Sequence, residues 1–306
     1  MIQGQLQKDD FKVVITVDGK PFTEYRYGHF VCRPYFYPVL TPDGQRLTRG
    51  YPVEKVEGET ADHYHHRGIY VAHGAVNGHD LWGEGEGHGS MLQRGDPKVS
   101  QSKVSQGDGA VAISGIVDWF GCEGEKLLEE ARDIRLWADG DMRVIDHCSE
   151  LRARYGHVNF GDTKEGGLIA IRVPTSMDAK DRGRIENSAG LVYDSGQGEE
   201  VTWGKPAAWV DYSGPLASGD EWGYTVVDHQ SNPRHPTYWH VRGYGLFTAN
   251  PFGLHHFKRD DNIDASMDLP RGESVTFRYR IIVHPGRGPG AGRIAELIEA
   301  FQSDEE

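Results

Sequence analysis

Runs of Val, Ile, Tyr and Phe alternating with polar residues recur along the 306-residue chain, interrupted every ten or so residues by Gly, Pro or Asp. Alternation with a period of two places one face of a strand in a core and the other against polar surroundings. "FKVVITVDGKPFTEYRYG" therefore reads as two strands about a DG turn, and "PYFYPVLTPDG" continues the pattern to a TPDG turn. "GDGAVAISGIVDWF" is a further strand. Within "GEKLLEEARDIRLWADGDMRVIDHCSEL" the segment EKLLEEARDIRL resembles a helix. However, Ile134 and Leu136 precede a DG turn, and Met142, Val144 and Ile145 follow it, which predicts a long hairpin instead. "GGLIAIRVPTSM", "AAWVDYSG", "GYTVVDHQ", "HVRGYGLFTANPFG" and "ESVTFRYRIIVHPG" add strands. Helical spacing occurs only in the tail, where Ile294, Leu297, Ile298 and Phe301 predict a helix over about 291–302. The expected fold is all-β: one domain, residues 1–306, forming a large antiparallel β-super-sandwich with a short C-terminal helix.

Composition narrows the functions available to such a fold. A net charge of -13 disfavours nucleic acid or an anionic membrane as partner. Cys32, Cys122 and Cys148 lie far apart, without the spacing of a disulfide framework or a thiolate metal site. No membrane-length apolar run and no signal-peptide pattern are present, so a cytoplasmic location is expected. Neither GxGxxG nor GxSxG occurs, which argues against a dinucleotide fold and a serine-hydrolase elbow.

Polar chemistry concentrates in two stretches. The first begins "DHYHHRGIYVAHG", residues 62–74. On a strand, His63 and His65 would face one side while Tyr64 and His66 faced the other, and a His pair two apart could converge on a divalent transition metal. Crowded polar side chains are poor core material unless each finds a partner, so a ligand or catalytic pocket is the competing reading. "GAVNGHDLWGEGEGHGSM" follows, with His79, Asp80, Trp82, Glu84, Glu86 and His88 on a glycine-rich frame. Trp82 beside carboxylates suits a sugar, offering an aromatic face to ring C–H groups and polar groups to hydroxyls. The second stretch, residues 228–257, gathers His235, His240, Arg242 and Asn250, with His240 and Arg242 on one strand face. "VNFGDTKEGG", carrying Asp162, Lys164 and Glu165 at a turn, could contribute a carboxylate, with a solvated loop as the default reading.

In "DHYHHRGIYVAHGAVNGHDLW", "GDTKEGGLIAIRV", "NSAG" and "SNPRHPTYWHVRGYGLFTANPFG" the chain resembles the PmoA family, bacterial proteins whose label derives from a methane monooxygenase subunit. That subunit is a membrane protein, so methane oxidation is rejected for a chain without a span. The resemblance implies a setting in sugar catabolism, and the layout is similar to the galactose mutarotase-like super-sandwich, whose open cleft holds a sugar.

Together these readings predict acid–base chemistry (hydrolysis, elimination or epimerisation) on a sugar or oxidised sugar. His65, His66, His240 and Glu84 are the catalytic candidates. Arg67, His79, Trp82, His235, Arg242 and Asn250 are the substrate-binding candidates. The alternatives are a metal-dependent hydrolase or lyase built on His63 and His65, and a non-catalytic carbohydrate-binding module. The expected partner is a carbohydrate or small polar or anionic ligand, with a homo-oligomer left open. Every version requires the two histidine-rich stretches to meet.

Overall fold

A computed structural model describes residues 1–104, 107–290 and 292–303. Two large sheets, antiparallel at every pairing among the described residues, form the expected sandwich. One has eight strands, in the order Ile2–Gln7, Lys12–Val17, Lys20–Arg26, Tyr35–Val39, Ile69–His73, Gly166–Arg172, Leu246–Ala249 and Trp239–Val241. The other has ten, and its centre is Glu221–Asp228, Ser274–Pro285, Met142–Arg152, Lys126–Asp139 and Gly107–Phe120. Lys126–Asp139 and Met142–Arg152 are the predicted hairpin, with Leu136 paired to Ile145 and Ile134 to His147. The helix-like EKLLEEARDIRL is thus strand from Lys126 onward, because Leu128, Glu130, Arg132, Ile134 and Leu136 alternate onto the face buried between the sheets.

Alternation of period two gives the centre of the ten-stranded sheet two covered faces. Val111, Leu136, Ile145, Val226 and Ile281 point between the sheets into the main core. Their neighbours Ala110, Trp137, Val144, Val227 and Ile282 point outward, beneath Leu297 and Phe301 of the C-terminal helix. That helix runs Arg293–Gln302; residue 291, the start expected from sequence, lies outside the described residues. A five-residue helix, Leu254–Lys258, was not predicted: "LHHFK" is too short to show helical periodicity, and it buries only Phe257.

Register across the eight-stranded sheet positions the functional residues. Ile69, Ile171, Phe247 and Val241 form one row facing the core. Their neighbours Tyr70, Ala170, Thr248 and His240 form the adjacent row, on the opposite face. Gly68 leads into this arrangement with φ +56, and a Cβ there would lie 2.0 Å from the Phe36 carbonyl oxygen. Gly68→Ala is therefore expected to cost at least about 2 kcal/mol, from the left-handed backbone and the backbone clash combined. Urea unfolding checks this, and an unchanged midpoint would contradict it.

Candidate functional site

A cleft of about 430 Å³ lies at the His240 end of the outward row, beside the last strand of the eight-stranded sheet. His63, Tyr64, His65 and His66 line one side of it, Asp80, Trp82 and His88 another, and Lys164, Glu165, His240, Arg242 and Tyr244 the rest. The two histidine-rich stretches meet here.

The strand alternation expected for residues 63–66 does not occur. The strand begins only at Ile69, and residues 63–66 form a turn, closed by the His66 N–H donating to the His63 carbonyl at 3.0 Å. His63 takes a left-handed backbone, φ 44, unusual for a residue with a Cβ. The turn lets His63, His65 and His66 all face the cleft where a strand would send them to opposite sides. Asp62 anchors it: its carboxylate accepts from Arg172 Nη2 at 2.9 Å and from Arg49 Nη1, while Arg49 Nη2 donates to the His63 carbonyl at 2.9 Å. Both arginines are fully buried. Burial pushes the Asp62 carboxyl up, but Arg172, the His63 hydrogen bond and Arg49 outweigh it and bring it down to about 2.

Hydrogen-bond partners fix where the imidazole protons sit. His63 Nδ1 lies 2.9 Å from ionised Asp62, so it carries the proton, leaving the Nε2 lone pair available when the ring is neutral. His240 is the reverse. Trp203 Nε1, which can only donate, contacts His240 Nδ1 at 2.9 Å, so the proton is on Nε2. His66 Nδ1 likewise faces Arg172 Nη1 at 3.3 Å. Burial, then the charges of Arg242, Lys164 and His256, push His240 down to about 3. Burial, then Arg33 and His63, bring His65 to about 4, and His66 lies well below the usual histidine range, chiefly through burial.

Aromatic faces support these groups. The His63 ring stacks between His66 at 4.9 Å and Tyr244 at 5.1 Å, each at 5° between planes. Arg172 and Arg242 lie 4.9 and 5.2 Å from the Tyr244 ring centre. Trp82 meets His66 edge-on at 5.5 Å, and its loop is set by Asp80 Oδ1, which accepts from the Trp82 and Gly83 N–H groups. Glu199 grips Arg242 through Nε and Nη2 and takes the Gly243 N–H, so the 199–203 segment supports both Arg242 and His240.

Several expected residues are placed elsewhere. Glu84 does not line the cleft and is paired bidentately with Arg67, at 3.0 Å from Nε and 2.8 Å from Nη2. Burial alone would raise its carboxyl, but Arg67 and Arg33 hold it below the ordinary value, so it is a structural anion and not the acid expected from sequence. Arg67 is consumed in the same pair and does not contact the cleft. His79 is bound to Glu125 at 2.8 Å, outside the lining. His235 is tied to buried Asp228 at 2.9 Å, and the prolines of its loop do not bring it to the cleft. Asn250 is buried and indirect, donating to the Thr163 and Lys164 carbonyls at 2.9 and 3.1 Å and so supporting the loop that carries Lys164 and Glu165. The metal set expected around His63 and His65 lacks a third ligand: among the described residues no three His, Cys, Asp or Glu side chains are grouped to hold an ion.

Sequence reasoning assigns no role to Asp62, Arg49, Arg172, Trp203 or Tyr244; Lys164 and Glu165, on a turn that could contribute a carboxylate, line the cleft while remaining partly exposed. The signal for Asp62 was its place at the head of the histidine run. Arg49, Arg172 and Trp203 are remote in sequence and gave none.

The chain belongs to a family of unknown function, DUF6807, whose model matches residues 12–299. That match carries no PmoA name. No curated protein sequence matches the chain. Among solved structures, the galactosidase domain of the alpha-galactosidase–sucrose kinase AgaSK is similar with a TM-score of 0.45 and 8% identity, over 93% of this chain. This chain spans 42% of that one. Among the described residues no helix is long and apolar enough to cross a membrane.

Proposed function

We propose that the cleft binds a carbohydrate and moves protons on it, with His63, oriented by Asp62, as the base and His240 as a hydrogen-bond donor across the cleft. The observation that carries this reading is the pair of opposite tautomers. One imidazole offers a lone pair and another an N–H, each fixed by a partner outside the cleft. A base needs a free lone pair, an oriented ring and a counter-charge for the imidazolium it becomes, and Asp62 supplies the last two. Tyr64, exposed at the cleft, supplies aromatic surface suited to the C–H face of a sugar ring, while Tyr244 holds the His63 ring in place. Arg242 and Lys164 supply donors for its oxygens. His65 and His66, neutral at pH 7, add polarity without charge. The metal-dependent alternative has no three-ligand set to build on among the described residues.

Titration of intrinsic fluorescence with D-glucose, D-galactose, D-gluconate and D-glucuronate tests the reading. Saturable binding is expected for at least one, weakened about tenfold, or about 1.4 kcal/mol, by Tyr244→Ala. Absence of saturable binding across the panel would overturn it.

A further inference from the structure

We infer that the proton moved in this cleft comes from carbon beside a carbonyl group, so that the ligand is a keto-sugar and the reaction passes through an enolate. This rests on the carbohydrate reading and specifies its chemistry. The argument begins with what His240 is unable to do. Protonation at Nδ1 would put an N–H against the Trp203 N–H, donor against donor at 2.9 Å. A ring confined to its neutral Nε2–H form does not act as a proton acid near neutral pH, but it can donate a strong hydrogen bond. A fixed N–H donor in a buried site is suited to an oxygen on which negative charge develops. The low value of His240, about 3, agrees with this geometry. His66 is restricted in the same way by Arg172 Nη1 at 3.3 Å.

The carboxylates of the cleft support the same conclusion. Glycosidic hydrolysis calls for a protonated carboxyl beside the leaving oxygen and a second carboxylate facing it. Asp80 and Glu165 are the two carboxylates in the lining. Asp80 accepts two backbone N–H groups and faces His88 at 3.5 Å, and Glu165 is paired with Lys164 at 3.3 Å. Each is therefore engaged by its own loop or neighbour, and the two are not presented as a free acid–base pair about one bond. Enolate formation needs no carboxylic acid. It needs a base, which the Asp62–His63 pair provides, and a donor for the oxyanion, which His240 provides. Arg242 and Lys164 in the lining, each paired with a glutamate, keep further N–H groups that can donate to the same oxygen.

The step balances without a co-reactant. The Nε2 lone pair of His63 takes the proton from the carbon next to the carbonyl. The C–H pair becomes the C=C bond, and the carbonyl π pair moves to oxygen, which accepts the His240 Nε2–H. His63, now an imidazolium beside Asp62, returns its proton either to the former carbonyl carbon, while the adjacent hydroxyl passes its proton to the enolate oxygen, giving isomerisation, or to a departing β-oxygen, giving elimination.

The test incubates the full chain in D2O with D-fructose, D-tagatose and 5-keto-D-gluconate, reading loss of the C–H signal beside the carbonyl by proton NMR and binding by fluorescence. Wild type is expected to exchange that hydrogen in at least one ketose that binds. His63→Gln should slow exchange at least about 100-fold while the ketose still binds, and His240→Phe should slow it by a similar factor. Binding without exchange, or exchange that survives His63→Gln, would overturn the inference and leave the carbohydrate reading standing. Binding of a sugar from the earlier panel but of no ketose would overturn the inference alone, and absence of binding across the earlier panel would overturn both. Should a variant not fold, imidazole nitrogen NMR of the wild type decides: the protons must be on His63 Nδ1 and His240 Nε2, and the opposite tautomer at either ring overturns the inference.

Discussion

Acidification from pH 7 to pH 5 is expected to remove a large share of the stability of the protein, through buried histidines more than through its carboxylates. His66, His73, His147 and His240 are all at most 4% exposed. Burial, aided at His147 by Arg132, pushes His73 to about 4 and His147 and His240 to about 3, and His66 well below the usual value. In the unfolded chain each takes a proton near pH 6.5, and in the folded chain none does until the pH reaches its depressed value. Across that window the unfolded state binds more protons, so stability falls as pH falls, and it stops falling only below the folded values. Asp178 acts in the opposite sense. Burial raises it to about 6, so the folded state gains a proton there as pH drops. The net difference is about two to three protons, or about 3–4 kcal/mol per pH unit, against a total stability of about 5–15 kcal/mol for a typical protein. On the alkaline side one group matters differently. Buried His284 donates to Asp211 at 2.7 Å and, although burial opposes it, that hydrogen bond raises its value. Its contribution is complete below pH 6.5 and fades as pH rises through the raised folded value. Urea midpoints at pH 7, 6 and 5 check the acid arm. His147→Gln should flatten the dependence by about one proton, and equal midpoints at pH 7 and 5 would refute the account.

Glu130→Leu is expected to destabilise the fold by about 3–5 kcal/mol, the largest effect anticipated for one substitution. Glu130 is fully buried between the sheets and accepts from Arg132 Nε and Nη2 at 2.8 Å, Trp119 Nε1 at 2.9 Å and Ser149 Oγ at 2.6 Å. Burial favours its neutral form, yet Arg132 and these donors hold it down at about 2. Leucine would fill much of the volume but leave the Arg132 guanidinium charged and unpaired in the interior. The cost arises from that stranded charge more than from the loss of the pair itself. Adding Arg132→Met should therefore recover part of the loss, with Trp119 and Ser149 still lacking their acceptor. Thermal and urea unfolding of the three variants decide it. A double variant less stable than Glu130→Leu alone would show that the charge is not the cause.

How far the sequence could be read follows from the range of each physical signal. Period-two alternation is local, so the hairpin of Lys126–Asp139 and Met142–Arg152 was visible despite its helix-like composition. The tail helix was visible from four apolar residues at helical spacing. The turn at 63–66 was not, because it depends on a left-handed His63 held by Arg49 and Arg172, neither of them near in sequence. The same limit applies to the tautomers. His240 could be seen as a candidate from its neighbours, but its chemistry is set by Trp203, 37 residues away. Glu84 shows the opposite error. Its place beside Trp82 suggested an acid, while the arginine that neutralises it, Arg67, had been assigned to the ligand.

The cleft joins the outermost strand of its sheet, Trp239–Val241, to a turn that feeds a strand three places further in. A molecule gripping both sides would fasten the sheet's margin to its middle, and margins are where strands detach first. Occupancy would then be felt as resistance of the whole chain to heat and to proteases, growing with concentration by mass action. A compound library could thus be sorted by melting temperature alone, with the protein reporting its own ligand before any reaction has been assayed.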